Sequence, residues 1–136
     1  MTITYKTNVS IRAEQAAEVF VHSGIKRPAQ DLDRIQRMLD HASLTITAWN
    51  DSELIGIARA LTDFSYCCYL SDLAVVKDYQ NQGIGTQLIK HVQSEIGEEI
   101  GEEIALILLS APSAMNYYPK VGFHQIDNGF KIDRIR

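Results

Sequence analysis

The stretch Tyr69–Ile89 joins a strand, a polar turn and an amphipathic helix, and it constrains the fold more than any other part of the chain. Its first half is an apolar run that ends in β-branched residues, which predicts a buried strand. After the turn, apolar residues recur at spacings of three and four from Ile84 to Val92, which predicts a helix. Two glycines, Gly83 and Gly85, therefore lie where the strand gives way to the helix.

This junction has the features of an anion-binding site. The first backbone N–H groups of a helix have no intrahelical partner, and the helix dipole is positive at that end. Because glycine has no Cβ, a phosphate can approach the backbone closely there. The stretch therefore predicts a phosphate or pyrophosphate site at the start of the helix.

Two common phosphate-binding motifs do not fit this loop. A Walker loop requires Gly-Lys-Ser/Thr, and no such triplet follows. The dinucleotide motif G-x-G-x-x-G requires a third glycine where Leu88 stands, and its short turn is replaced here by a longer polar turn, Lys77–Gln82. A nucleotide-binding domain of either kind is therefore disfavoured.

A different loop motif does match, and a second match lies near the C-terminus. The segment Gln80–Gly85, QNQGIG, fits the pattern Q/R-x-x-G-x-G/A and follows the strand segment Leu73–Val75. The segment Tyr118–Phe123, YPKVGF, fits the pattern Y-x-x-x-G-F. Together these stretches resemble the acetyl-CoA loop and the tyrosine segment of the GNAT superfamily of N-acetyltransferases.

The apolar patterns predict elements in the order β-α-α-β-β-β-α-β-α-β-β, which is also the order of the GNAT fold. Ser10 is the predicted N-cap of the first helix. The predicted strands lie near residues 3–5, 44–49, 54–61, 66–76, 104–109, 123–126 and 130–135, and the helices lie near 11–24, 31–40, 84–96 and 113–118.

Hairpins mixed with crossovers indicate an α/β (α+β) fold with a mixed sheet. The resemblance implies a mostly antiparallel central sheet with helices on both faces. It further implies that the strands at 70–76 and 104–109 are parallel neighbours that splay apart, with the cofactor in the gap between them.

Bulk properties limit the class of protein. A chain of 136 residues predicts a single domain, 1–136, and the net charge of −4 argues against a dedicated nucleic-acid binder. No signal-peptide pattern and no apolar run of membrane-spanning length is present. Cys67 and Cys68 are adjacent, so they should point to opposite faces of a strand as reduced thiols. We expect a cytoplasmic, metal-free protein without membrane or nucleic-acid partners, and a homodimer stays open.

The resemblance gives Tyr118 the role of the tyrosine that protonates the departing CoA thiolate, a step that a phenol can perform. The alternative is that Tyr117 or Tyr118 packs the short helix onto the sheet with its hydroxyl at the rim. Asp72 is the predicted general base, since an amine acceptor must lose a proton, and Asp63 is the second candidate. The alternative for Asp72 is a structural carboxylate that is hydrogen-bonded to a neighbour or to solvent.

Acetyl-CoA is the expected cosubstrate. The resemblance implies that the backbone of one strand segment pairs with the pantetheine amides and that the loop holds the pyrophosphate through its N–H groups. One departure from the family pattern is Ala111, which stands where many members carry asparagine. The predicted cofactor-binding residues are Leu73, Ala74, Val75, Gln80, Asn81, Gln82, Gly83, Ile84, Gly85 and Thr86.

The expected function is transfer of an acetyl group from acetyl-CoA to a primary amine of an unidentified small molecule or protein. The alternative is a non-catalytic acyl-CoA-binding module that acts as a sensor or interaction surface. A tandem acidic repeat, GEEIGEEI at Gly97–Ile104, is predicted to be a solvated face or a helix-to-strand connection.

Overall fold

The computed structural model describes residues 2–101 and 103–135. Short 3-10 segments lie at Lys77–Tyr79, Pro112–Ala114 and Tyr118–Val121. No helix among the described residues has the length and apolarity that crossing a bilayer requires. The strands and α-helices are β1 (Ile3–Thr7), α1 (Ala13–Ser23), α2 (Leu32–Asp40), β2 (Leu44–Asn50), β3 (Glu53–Thr62), β4 (Cys67–Val75), α3 (Ile84–Ile100) and β5 (Ala105–Ile107).

The sheet is mixed and mostly antiparallel, as predicted. Its strand order is β1-β2-β3-β4-β5, and β4–β5 is the one parallel pair in the described parts of the chain. That pairing runs only from Cys67 with Ala105 to Tyr69 with Ile107. Because β4 continues to Val75, the edge of its second half faces a gap instead of a strand.

Helices cover both faces of this sheet, which confirms the predicted layers. On one face α3 buries Leu88 and Val92 against β2, β3 and β4. On the other face α1 and α2 bury Phe20 and Ile35. Each such side chain contributes about 1.5–3 kcal/mol when it is removed from water. The two apolar layers therefore hold the sheet from both sides.

Local capping explains most helix ends, with one correction. Gly24 ends α1 in the left-handed conformation, at φ 91°, and Asp31 caps α2 by accepting the N–H of Arg34 at 3.1 Å. Ser10 is not the N-cap of α1, so that prediction is wrong. The N-cap is Arg12, two residues later, because the side chain of Gln15 accepts the backbone N–H of Arg12 at 3.0 Å and fixes the start there.

The C-terminal predictions are also corrected. Neither 123–126 nor 130–135 forms a strand, and the apolar side chain of Phe130 is fully exposed. A strand needs a neighbouring strand to which it can form hydrogen bonds, and β5 has only three residues. The alternation of side chains in these two segments was therefore not enough to make them strands. The predicted helix at 113–118 is replaced by two 3-10 segments, Pro112–Ala114 and Tyr118–Val121.

The adjacent cysteines and the acidic repeat also have assigned places. Cys67 is exposed, Cys68 is buried, and both are free thiols, as their neighbouring positions on a strand predict. Burial raises the pKa of the Cys68 thiol to about 11, and the adjacent Cys67 adds to this effect. The first half of the acidic repeat extends α3 to Ile100, with Gly101 as the C-cap, whereas Glu102 lies outside the described residues.

Gly56 on β3 tests how tightly the α3 face is packed. A Cβ at this position would lie 3.2 Å from Leu88 Cδ1 and 3.3 Å from Ala48 Cβ. We expect Gly56→Ala to lower the free energy of unfolding by about 1–3 kcal/mol, because Leu88 and Ala48 would have to shift by a few tenths of an ångström in a packed core. Urea denaturation measures this change.

Gly97→Ala is the matched control. Gly97 lies inside α3, and apart from the backbone of the helix itself no atom of the described residues lies within 4 Å of an added Cβ, so alanine should raise stability by about 0.5–1 kcal/mol. Equal effects of the two substitutions would contradict tight packing at Gly56.

Candidate functional site

A β-bulge at Ser71 shapes the strand that borders the gap. Arg59 of β3 pairs with Asp72, whereas the next residue of β3, Ala60, pairs with Leu70, so Ser71 is the extra residue. A bulge shifts the alternation of side chains by one position. Leu70 accordingly packs on the α3 face, whereas Ala74 packs on the α1–α2 face.

Asp72 follows the bulge and lies between two arginines. Its side chain has no solvent exposure, and its two oxygens accept from different guanidinium groups. The Nε of Arg27 donates to Oδ1 and the Nε of Arg59 donates to Oδ2, each at 2.5 Å. A buried carboxylate is stable only when charge and hydrogen bonds compensate it, and this arrangement supplies both.

The same two arginines also hold the bulged residue. Arg27 donates from Nη2 to the carbonyl oxygen of Ser71 at 2.7 Å, and Arg59 donates from Nη2 to the Ser71 hydroxyl at 3.0 Å. Arg27 belongs to the connection between α1 and α2, whereas Arg59 belongs to β3. The Arg27–Asp72–Arg59 network therefore joins this connection and two strands at the point where the sheet begins to open.

The hydrogen bonds of Asp72 and Asp63 bear on their predicted roles as general bases. A proton on Asp72 would weaken one of its two ion pairs, so the geometry favours the structural alternative for this carboxylate. Asp63 lies in the β3–β4 turn, where its Oδ1 accepts the N–H groups of Ser65, Tyr66 and Cys67 at 2.8–3.1 Å. These bonds hold the pKa of Asp63 below its usual value, with the Tyr66 bond as the largest cause.

The free edge of β4 presents main-chain groups to the gap. The N–H of Val76 bonds to the carbonyl of Ile55 at 3.0 Å, and antiparallel alternation then directs Ala74 toward β3 but Leu73 and Val75 away from it. The Val75 carbonyl accepts the side chain of Gln80 at 2.7 Å. The N–H and carbonyl of Leu73 and the N–H of Val75 are left facing the gap.

The start of α3 is open to solvent. Gly83 is the N-cap at φ 83°, and its side-chain-free position provides no capping acceptor. Asn81 also adopts a left-handed conformation, at φ 65°, which shapes the loop. Within the described residues, no acceptor lies within hydrogen-bond range of the N–H groups from Gln82 to Thr86. An anion would satisfy these donors.

Gln80 has a structural role in this loop, which its position in the motif did not indicate. Besides the Val75 carbonyl, its Nε2 contacts the carbonyl of Ser23 at 3.2 Å. Ser23 is the last residue of α1, so Gln80 links the loop to β4 and to the opposite helical layer.

The adjacent tyrosines occupy different positions at the gap. The hydroxyl of Tyr117 lies 3.0 Å from Thr86 Oγ1, in the first turn of α3, and an added Cβ at Gly85 would lie 3.2 Å from this hydroxyl. The motif Y-x-x-x-G-F singles out Tyr118, yet Tyr117 is the tyrosine that contacts the α3 N-terminus. Its place next to Tyr118 was the available signal in the sequence.

Tyr118 is half-buried between two aromatic rings. Its ring is edge-on to Tyr117 at 5.2 Å and to Phe123 at 5.5 Å between centroids. Burial raises the pKa of Tyr118, the neighbouring Tyr117 adds to the increase, and the positive charge of Arg27 opposes it. Tyr118 therefore keeps its proton at neutral pH and can donate it.

Comparison with known proteins gives a consistent family. Residues 9–136 match the family model described as the acetyltransferase (GNAT) domain. An uncharacterized N-acetyltransferase of Porphyra purpurea is 32% identical over 116 residues, which cover 79% of this chain and 61% of that protein. The chain spans about three fifths of the length of the first curated relatives it matches.

Solved structures share the fold at low sequence identity. A Staphylococcus aureus protein described as a probable acetyltransferase has a TM-score of 0.85 at 22% identity and covers 98% of this chain and 100% of its own. An aminoglycoside N-acetyltransferase in complex with CoA has a TM-score of 0.74 at 17% identity, with 99% and 96% covered.

Asp72→Asn tests whether the buried network holds the site together. The amide would present N–H donors to one guanidinium and leave a buried positive charge uncompensated, so we expect a loss of about 3 kcal/mol in unfolding free energy. Chemical denaturation followed by circular dichroism measures it. Asp127→Asn, at an exposed position, is the control and should change stability by less than about 0.5 kcal/mol. A loss below about 1 kcal/mol at Asp72 would contradict a stabilising network.

Proposed function

The chain belongs to the GNAT acetyltransferase family, and on that premise we propose that it transfers the acetyl group of acetyl-CoA to a primary amine. The observation that carries the proposal is the open N-terminus of α3 beside the unpaired edge of β4. One feature suits a pyrophosphate and the other suits the amides of a pantetheine arm. These two groups are joined in CoA, and the related aminoglycoside N-acetyltransferase was solved with CoA.

The residues fit acetyl-CoA group by group. Free N–H groups of the loop and of the first turn of α3 match the oxygens of the pyrophosphate. The outward-facing main-chain groups of Leu73 and Val75 match the pantetheine amides as an additional strand would. An added Cβ at Gly85 would lie close to the Tyr117 hydroxyl. This tyrosine therefore limits the width of the site beside the loop.

The thioester would supply an activated acetyl group and a thiolate leaving group. Tyr118 holds a proton that it can donate to a departing anion, and burial among aromatic rings keeps that proton in place at neutral pH. A backbone N–H at the edge of β4 can stabilise negative charge on the carbonyl oxygen, an effect that is typically worth about 3 kcal/mol.

We propose a positioning role for Asp72, with the base role of the sequence prediction as its alternative. Both of its oxygens are already bonded to arginines, so its stronger effect is on the shape of β4. A single domain over 1–136, a cytoplasmic location, a homodimer, and the absence of metal, membrane and nucleic-acid partners stay predictions.

Gly83→Asp tests the anion site. The new carboxylate would lie among the free N–H groups and repel the pyrophosphate, so acetyl-CoA binding should weaken by at least about 100-fold. Calorimetric titration with acetyl-CoA measures the affinity, with dephospho-CoA and ATP as comparison ligands.

Gly83→Asn is the control for shape. Asparagine adopts the left-handed conformation about as readily as aspartate and adds a similar volume without charge, so it should retain more affinity than the aspartate variant. Unchanged affinity in Gly83→Asp would overturn the site.

Tyr118→Phe tests the proton donor. Without the hydroxyl the thiolate must leave unprotonated, so kcat should fall by about 100-fold or more, while acetyl-CoA affinity changes less than about twofold. The pKa of Tyr118 is raised above 10.0. Wild-type activity should therefore fall above pH 10, where this tyrosine loses its proton. The Tyr118→Phe variant should lack this fall.

Tyr117→Phe separates the two tyrosines. This change removes the contact to Thr86 and should affect acetyl-CoA affinity more than kcat. Equal turnover by wild type and Tyr118→Phe would exclude the donor role, whereas acetyl-CoA binding without turnover by wild type would favour the non-catalytic module.

A further inference from the structure

The Arg27–Asp72–Arg59 network carries an unbalanced positive charge. Two guanidinium groups face a single carboxylate, so one positive charge is not neutralised by the contacts within it. Exposure shows which member can offer that charge to a ligand: the side chain of Arg27 is 29% exposed, that of Arg59 is 8% exposed, and Asp72 is fully buried. The accessible cation of the network is therefore Arg27.

Arg27 lies at the reactive end of the gap. It bonds to Ser71 and Asp72, which immediately precede the β4 segment whose free edge faces the gap. Its charge also opposes the rise that burial causes in the pKa of Tyr118, a residue that packs on the α3 face of the sheet. A small acceptor between the strand edge and Tyr118 would lie beside this guanidinium.

Arg27 has hydrogen-bonding capacity left for a ligand. A guanidinium carries five N–H groups. The described contacts use one on each nitrogen, from Nε to Asp72, from Nη1 to the Lys26 carbonyl and from Nη2 to the Ser71 carbonyl. Each terminal nitrogen therefore retains one N–H, and those bonds already hold the side chain in place. A pre-positioned pair of donors is the arrangement that binds a carboxylate with two oxygens.

We propose, on the basis of the acetyl transfer proposed above, that the acceptor is an amine that also carries a carboxylate and that Arg27 binds this carboxylate. Amino acids and small peptides with a free carboxylate have this chemistry. A polyamine would bring only positive charge to a positive site and should be a poor acceptor. The same charge favours the neutral form of the bound amine, which is the nucleophile.

The first arm of the test compares matched acceptors with the wild-type protein. Thiol release from acetyl-CoA is measured for free amino acids, for the corresponding amino acid amides and for spermidine. The amide retains the amine and side chain but lacks the negative charge. We expect kcat/KM to favour the carboxylate over the matched amide by at least about tenfold for the best acceptor, with spermidine slower than both.

The second arm assigns the preference to Arg27. Arg27→Gln should reduce the ratio of kcat/KM for carboxylate over amide to nearly one, mainly through KM of the carboxylate substrate. Arg27→Lys retains the charge without the paired donors and should retain part of the ratio. Arg12→Gln is the control, since the Arg12 side chain is 73% exposed at the far end of α1, and it should leave the ratio unchanged. Circular dichroism confirms that each variant is folded.

The outcomes separate this inference from the proposed function. Turnover of amides or spermidine at the rate of carboxylates by wild type would overturn the acceptor class while acetyl transfer stands. A preference that persists in folded Arg27→Gln would overturn the assignment to Arg27. Binding of acetyl-CoA without thiol release for any acceptor would overturn acetyl transfer and the acceptor class together.

Discussion

The buried carboxylate of Asp72 is the interaction on which the arrangement of the site depends. It is stable in the interior only because guanidinium groups from β3 and from the α1–α2 connection bond to its two oxygens. The same guanidinium groups hold Ser71, the extra residue of the bulge, through its carbonyl and its hydroxyl. One compensated charge therefore fixes the bulge, and it also brings the α1–α2 connection to the edge of β4. Hydrophobic layers hold the sheet together, but this network determines how the sheet opens.

The gap where the sheet opens lies beside the exposed N-terminus of α3. Parallel pairing of β4 with β5 ends at Tyr69, which pairs with Ile107. Along the rest of β4, the edge that faces away from β3 therefore keeps main-chain donors and acceptors with which no strand of the described chain pairs. The loop that follows β4 is held by Gln80, which bonds to the strand and to the end of α1. These contacts place two sets of unsatisfied main-chain groups side by side, and a ligand with phosphates and amides can satisfy both.

The charges and aromatic rings around the gap divide the chemistry between its two sides. On the α3 side, Tyr118 packs edge-on to two aromatic rings, and its burial raises its pKa and keeps it protonated. On the α1–α2 side, Arg27 brings the uncompensated charge of the network to a partly exposed position. In the proposed reaction Tyr118 is the proton donor on one side of the gap and Arg27 is the anion-binding cation on the other, with the strand edge between them.

The sequence by itself determined the order and type of the elements from β1 to β5 and the glycine loop, because periodicity, turn residues and caps act within a few neighbouring residues. The family was recognisable from the sequence through the resemblance of two short motifs. Tertiary structure decided what depends on distant partners. Asp72 meets Arg27 and Arg59 across 45 and 13 residues of chain, and no local pattern in the sequence carries that pairing. Tyr117, and not Tyr118, contacts the α3 N-terminus. The path of the 3-10 segments in the folded chain decides which of the two tyrosines reaches this helix end. The alternating segment 130–135 did not become a strand, since a strand exists only where a neighbouring edge pairs with it.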